Sequence, residues 1–562
     1  MATTSRPSPR TGGKVLVDQL LTHGADSGYC VPGESYLEVL DALHDQRERF
    51  TLYNARHEAG AANMAEAYGK LTGRPGICLV TRGPGACHAA IGVHIAQQDS
   101  TPMILLVGQV DRGSMDREAF QEIDYRVMFA GVAKWVAQID DARRIPEYMA
   151  RAFRVATSGR PGPVVLALPE DMLTDVVEVA DAPPYAPSRP GVTVEEIERI
   201  GTLVSRAERP MMLVGGSGWT DEACAQIRTF AEANGMPVAC SFRRQDILDN
   251  ASDCYVGDFG TAVVPSLIKR LGEADLLLVV GARLGEMTTK TYTTLTAPNP
   301  TQTLIHAHVD PDEIGRVFSP ALGVVSAPDK LAAALAPCDW EQRRRWNEWR
   351  KTLRDEYLAD IQPPAHDYPL DMGAAMHALR DSLPKDAIVT LDAGNHTGWA
   401  QRFLAYQRPG RIIGSTCGAM GYSVPAAVAA SLREPDKCVL AFVGDGGFMM
   451  SGVEIATAVQ HGGRPIVLLF NNGTYGTIRM HQERDHPGRV SGTDLVNPDF
   501  GLMAAGLGAH FERVSDTGSV KPALERAMAS GRPAVIELMT DPERISTRTT
   551  VSALRDSARR SA

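Results

Sequence analysis

The stretch "VLAFVGDGGFMMSGVEIATAVQHGGRPIVLLFNN", residues 439–472, reads as strand, glycine turn, helix and second strand. "VLAFVGDGG" is an apolar strand that runs into glycines, which expose the carboxylate of Asp445 and let backbone N–H groups come close to a ligand. "FMMSGVEIATAVQH" reads as one helix, whose N-terminus favours an anion. "PIVLLF" then delivers Asn471 and Asn472 to the same sheet edge. An aspartate, an asparagine and the carbonyl of Thr474 are the hard oxygen ligands that Mg²⁺ takes when it also binds phosphates. The residues alone leave two readings open: a metal clamp for a diphosphate, or a glycine turn and an asparagine turn in an ordinary α/β domain.

The same grammar recurs along the 562-residue chain. Apolar, β-rich runs alternate with amphipathic helical stretches: "GICLVTRG" (76–83), "PMILLVGQV" (102–110) and "PVVLALP" (163–169) first, "PMMLVGG" (210–216) and "DLLLVVGAR" (275–283) next, "AIVTLDAG" (387–394), "VLAFVGDG" (439–446) and "PIVLLFNN" (465–472) last. Runs that are apolar throughout belong to parallel strands covered on both faces. Two proline-dense stretches, 181–191 and 362–369, read as linkers. The prediction is an α/β chain of three doubly wound parallel-sheet domains, over 1–185, 186–365 and 366–562. Ligands of such sheets bind beyond the carboxyl ends of the strands, where "TRGPG", "GARLG", "GDGG" and "NNGTYG" fall. No tandem repeat is visible at the sequence level.

Composition narrows the partners. The net charge of −10 is spread along the chain with no basic block or arginine-rich helix, so no nucleic-acid partner is expected. The apolar runs are far shorter than the roughly 20 residues of a membrane span, so no membrane role is expected. The basic, Ser/Thr/Pro-rich start "MATTSRPSPRTGGK" (1–14) has no apolar targeting core and reads as a disordered start. Nine cysteines without a CxxC pair argue against a disulfide framework or a zinc site and for a reducing compartment, the cytoplasm.

With four further segments, the 439–472 stretch resembles the cofactor-binding motif of thiamine diphosphate-dependent decarboxylases and carboligases. These are "RHEAGAANMAEAYGKLTGRPGICLVTRGPG" (56–85), "AFQE" (119–122), "GNHTGWA" (394–400) and "GAMGYSVPAAVAAS" (418–431). Nearly the whole chain is most similar to acetolactate synthase and its paralogues, in the order pyrimidine-binding, central and diphosphate-binding domain. The resemblance implies that Glu58 protonates N1′ of the cofactor's aminopyrimidine, that Thr81 and Pro84 line the pyrimidine pocket, and that Met420, beside Gly418, wedges the cofactor's two rings. It places Gly394, Asn395, His396, Gly446 and Gly447 on the diphosphate, with Gly444, Tyr475 and Gly476 completing the cofactor set. Asp445, Asn472 and Thr474 become the Mg²⁺ ligands, and Gln121 orients a donor or acceptor carbonyl. The implied reaction is decarboxylation of a 2-oxo acid and transfer of the remainder to an acceptor. The alternative is a decarboxylase or C–C lyase of the same superfamily. The implied assembly is a homodimer or dimer of dimers, the cofactor shared between the first domain of one subunit and the third of another.

Several residues depart from that pattern. The family's "PGG" is here "PGE", so Glu34 adds a carboxylate, readable as an acid for the reaction or as a charge at a helix N-terminus. His481 stands where acetolactate synthases carry a tryptophan that sets acceptor preference, and Ile478 takes the place of the second glutamate of pyruvate decarboxylases. Arg82 and His88 are also unusual. The central "GGSG" and "GARLGE" read as strand-turn glycines, and FAD, though some relatives bind it, is not predicted.

Overall fold

A computed structural model describes residues 8–261, 263–340, 343–364 and 366–561, so part of the expected irregular start (1–7) and one residue of the second linker (365) lie outside the described residues. The chain divides into two compact units: Met1–Ser188 with Val428–Arg433 and Ala456–His461, and Arg189–Ala427 with Glu434–Ile455 and Gly462–Ala562.

The first unit is built on a six-stranded sheet in the spatial order Thr51–Asn54, Ser27–Cys30, Gly76–Val80, Met103–Gln109, Pro163–Pro169, Trp135–Gln138. All neighbours are parallel. Its central strands are buried at every residue, as their unbroken apolar runs require. One face packs on helices Gly12–Thr22 and Ile145–Thr157 through Leu16, Leu20, Met149 and Phe153.

The second unit carries two more parallel six-stranded sheets. One runs Tyr255–Phe259, Val238–Ser241, Pro210–Val214, Leu276–Val280, Thr303–His308, Leu322–Val325. The other runs Arg411–Gly414, Ile388–Leu391, Val439–Gly444, Ile466–Asn471, Ala534–Met539, His510–Val514. Counted within each sheet, the first and last share one winding, 2-1-3-4-6-5, whereas the middle sheet is 3-2-1-4-5-6. The two outer sheets thus share a winding that no tandem repeat in the sequence announces. In each 2-1-3-4-6-5 sheet the order reverses between the first and third strands, and the crevice at that point is where open α/β sheets take ligands. The turns that open there are those after Cys30 and Val80 in one sheet and after Leu391 and Gly444 in the other.

Four expectations change. The start is ordered from Arg10: Arg10–Thr11 pairs antiparallel with Val176–Val177, and the Thr11 hydroxyl caps helix Gly12–Thr22. A Cβ on Gly12 would lie 2.5 Å from the Met172 carbonyl oxygen, so a glycine there permits close packing. "FMMSGVEIATAVQH" is not one helix but the end of Asp445–Ser451, a 3₁₀ turn Gly452–Glu454 and a helix Ile455–His461. The Phe448 ring packs 2.9 Å from where a Cβ on Gly452 would stand. The 181–191 linker is irregular but pinned, since Gln19 donates to Asp181 and the Tyr185 N–H to His23. An arginine-rich helix does exist, Arg343–Asp360, but Arg345, Arg350 and Arg354 donate to the carbonyls of Ser205, Asp253 and Tyr255. Those cations satisfy the middle domain's backbone rather than forming a binding face. Among the described residues no helix is long and apolar enough to cross a membrane.

Candidate active site

Every candidate in the last third of the chain, from Gly394 to Gly476, lines one cavity of about 640 Å³ in the second unit. Asp445 opens the helix after the third strand, and Asn472 and Thr474 follow the fourth, so neighbouring strands aim them at one point. Asp445 is buried, its Oδ1 accepting from Gly446 N (2.9 Å) and its Oδ2 from Gly473 N and Asn497 Nδ2 (both 2.8 Å). Burial raises its pKa, and these hydrogen bonds pull the other way. A buried carboxylate with that balance gains from a cation beside it.

The two asparagines divide their work. Asn472 Oδ1 accepts from Thr474 N and shapes the turn, whereas Asn471 belongs to a chain of side chains beneath it. Arg513 donates to Glu537, Asn471 Nδ2 to Glu537, and Asn497 Nδ2 to both Asn471 Oδ1 and Asp445. This series fixes every amide orientation from an arginine to the site carboxylate. Sequence reasoning missed Asn497 and Glu537, which lie in no motif.

A second missed pair orders the other wall. Asp392, fully buried, accepts from the N–H groups of Ala393, Gly421 and Ser423, so one carboxylate ties the first strand's end to the turn holding Met420. Gly418 and Gly421 have φ of 70° and 79°, a conformation that side chains resist. Arg243, from the middle domain, donates to the carbonyls of Leu391, Asp392 and Ser415 and partly offsets the burial that raises the Asp392 pKa.

The lining fits a diphosphate-bearing cofactor. A Cβ on Gly446 would stand 2.4 Å from the Tyr475 ring, and one on Gly394 (φ 134°) 2.9 Å from His396, so only glycines leave that wall open. His396 Nε2 is buried with no hydrogen-bond partner among the described residues, and burial lowers this histidine's pKa to about 3, so it stays neutral. Asn395 already spends its amide on Thr477 and the Ile545 carbonyl. Ile478 is on the wall, while His481 is exposed on helix Gly476–Asp485 and is not among the lining residues. His366, Asp371 and Arg544, none of them foreseen, also line it.

The candidates of the first unit gather around the "TRGPG" turn. Thr81 Oγ1 lies 3.0 Å from Ser35 Oγ, Pro84 sits in the first turn of helix Gly83–Asp99, and Gly83 N donates to the Gln121 carbonyl. Gln121 has φ 66° and a buried Oε1 without a partner among the described residues, a strained residue of the kind that function retains. Glu58 opens helix Glu58–Thr72 behind His57, and its side chain is 13% exposed. Glu34 starts a 3₁₀ turn, and its carboxylate accepts from the buried Arg82 at 3.1 Å. Arg82 also reaches Glu170 at 3.4 Å. In the middle domain the glycines after Val214 and Val280 press on each other, a Cβ on Gly216 falling 1.9 Å from the Gly281 oxygen, and the nearby cavity holds about 40 Å³.

Comparison with known sequences names this arrangement. The N-terminal TPP-binding domain of thiamine pyrophosphate enzymes matches residues 10–128, the central domain 197–335 and the C-terminal TPP-binding domain 392–538. The chain belongs to the thiamine pyrophosphate enzyme family. Among curated proteins, it is similar to the acetolactate synthase large subunit of Corynebacterium glutamicum, 32% identical over 563 residues that cover 95% of this chain and 88% of the relative. The isozyme 2 and isozyme 1 large subunits of Escherichia coli are each 31% identical, covering 94% and 96% of this chain and 95% and 96% of their own lengths.

Proposed function

We propose that this chain is a thiamine diphosphate- and Mg²⁺-dependent carboligase that decarboxylates a 2-oxo acid such as pyruvate and joins the remainder to an acceptor carbonyl, as in an acetolactate synthase. The observation that carries the reading is the convergence of all the C-terminal candidates on one glycine-walled cavity around buried Asp445. When bound, the cofactor supplies the electron sink for loss of CO₂. Asp445, Asn472 and the Thr474 carbonyl hold Mg²⁺, and Gly446, Gly447 and neutral His396 face the diphosphate. Met420, on the cavity wall, would support the cofactor's rings. Glu58 holds a proton at N1′, and Gln121 orients the carbonyl of donor or acceptor.

Glu34 decides between ligation and release of aldehyde. Its pairing with Arg82 supports a structural role, which leaves no dedicated acid to protonate the decarboxylated donor. Domain boundaries near 185 and 365 separate the two halves of the site. A homodimer or dimer of dimers joins the first domain of one subunit to the third of another. Exposed apolar side chains on the helices that carry the site motifs, Ile91 in one unit and Met449 and Met450 in the other, support this assembly. Nine cysteines without a CxxC pair support a reducing cytoplasm.

The test is to incubate apoprotein with thiamine diphosphate, Mg²⁺ and a panel of 2-oxo acids, measuring CO₂ and identifying products. Ligated 2-hydroxy ketones or acetohydroxy acids are expected. Mainly aldehyde at saturating acceptor would overturn the carboligase reading in favour of a decarboxylase.

A further inference from the structure

Glu58 has an unexplained neighbour. His88, on the helix that begins at the "TRGPG" turn, holds its Nδ1 2.8 Å from Glu58 Oε2. The other oxygen, Oε1, lies 3.7 Å from where a Cβ on Gly85 would stand. One oxygen is thus held by an imidazole while its twin faces the turn that lines the pyrimidine pocket. The exposures differ in a useful sense: the His88 side chain is 51% exposed and Glu58 only 13%. In the single chain the imidazole is the more open of the two groups.

The groups around the pair narrow the proton route. His57 stacks on His88 with ring centroids 4.5 Å apart and caps the Glu58 helix by accepting from Ala59 N. One ring nitrogen of each histidine and one Glu58 oxygen lie within 4.8 Å of one another. Tyr36 and Cys78 feel the Glu58 charge from the sheet side, and burial pushes both far above their ordinary values, so they stay protonated and cannot exchange with it. As the acid at N1′, Glu58 has to take up a proton. The proton it must hold needs an entry route.

We propose that His88 is a positioning residue that fixes the Glu58 carboxylate through Oε2 and exchanges protons between Glu58 and water. The proposal rests on the reading of Glu58 as the acid at N1′. In the step, hydronium protonates the other ring nitrogen of neutral, Nδ1–H His88, and the resulting cation passes its Nδ1 proton to Glu58 Oε2, which leaves the neutral tautomer protonated at that other nitrogen. No oxidant or further reactant is needed.

Two variants separate the roles, because His88→Asn keeps a donor but cannot titrate and His88→Ala removes both. In apoenzyme, nitrogen NMR of the His88 ring should show an Nδ1–H form whose titration moves when Glu58→Gln is introduced. In holoenzyme, the pH profile of deuterium exchange at the cofactor's C2 should contain a limb that follows the His88 titration. That limb should vanish in His88→Asn, and His88→Ala should exchange about tenfold slower than His88→Asn. A His88 titration indifferent to Glu58→Gln would overturn the proposal. So would an unchanged pH profile in His88→Asn while Glu58→Gln exchanges slowly, an outcome that leaves Glu58 as the acid. Wild-type exchange in Glu58→Gln would instead remove the role of Glu58 and, with it, this proposal.

Discussion

Asn497→Ala should weaken metal-dependent cofactor binding although Asn497 is itself no candidate ligand. Its Nδ2 donates to Asp445 Oδ2 at 2.8 Å and to Asn471 Oδ1 at 2.9 Å, so one truncation cuts the chain from Arg513 to the carboxylate. Hydrogen bonds to charged groups contribute about 1.5–3 kcal/mol, and neutral ones about 0.5–1.5 kcal/mol. Asn497 is only half-buried, so water replaces part of each bond, and Gly473 and Gly446 still hold Asp445. The net loss in placing the carboxylate is then about 1–2 kcal/mol, a factor of roughly 5–30 in affinity. Calorimetric titration of thiamine diphosphate into apoprotein at fixed Mg²⁺, repeated with a chelator, measures it. The loss should be confined to the Mg²⁺ arm, with thermal unfolding showing a folded variant. Wild-type affinity with Mg²⁺, or equal weakening in both arms, would refute the idea that the chain orients Asp445 for a cation.

Asp445→Ala should abolish the metal-dependent part of cofactor affinity outright, and calorimetry showing an unchanged value would remove the metal assignment. Mixing inactive Glu58→Gln with inactive Asp445→Ala should regenerate some activity once subunits exchange; none would argue for a site within one chain. Glu34→Gln should leave the ratio of ligated product to aldehyde nearly unchanged, and a shift from aldehyde towards ligation would make Glu34 a proton donor. Buried His396 titrates at about 3 when folded against 6.5 as its ordinary value, so below pH 6.5 the unfolded chain takes up a proton that the folded chain refuses. Its contribution is fully present above 6.5 and is lost as pH falls, about 2 kcal/mol by pH 5. Denaturant midpoints of metal-free His396→Gln should accordingly fall less steeply between pH 7 and 5 than those of wild type, and equal slopes would count against a neutral buried imidazole.

The strands were legible because burial on both faces writes itself as unbroken apolar runs, as in "VLAFV" and "PIVLLF". The family and the glycine turns were legible because cofactor chemistry allows few residues at each position. Other features lack such a signature. Asp392 looks like any aspartate after a strand, and its importance lies in the N–H groups of Gly421 and Ser423, which only folding brings to it. Arg243 comes from a different sheet altogether, with φ 59°. The shared winding of the outer sheets was hidden because burial constrains strand residues to a class and not to an identity. Arg10–Thr11 was misread because a two-residue strand depends on its distant partner, not on local propensity.

The reach of Arg243 has a consequence for dissecting the molecule. Its guanidinium anchors the carbonyls that end two strands of the last sheet, at the reversal point where the cavity opens. A fragment starting at residue 366 would keep every glycine and the aspartate of the motif, yet lose the cation that balances buried Asp392. Asp392 would keep its three backbone N–H donors, but the carbonyls of Leu391, Asp392 and Ser415 would lose the donor they share. The middle domain, with its pressed glycines, thus serves the chemistry as a brace, and the cofactor half-site is not a detachable module.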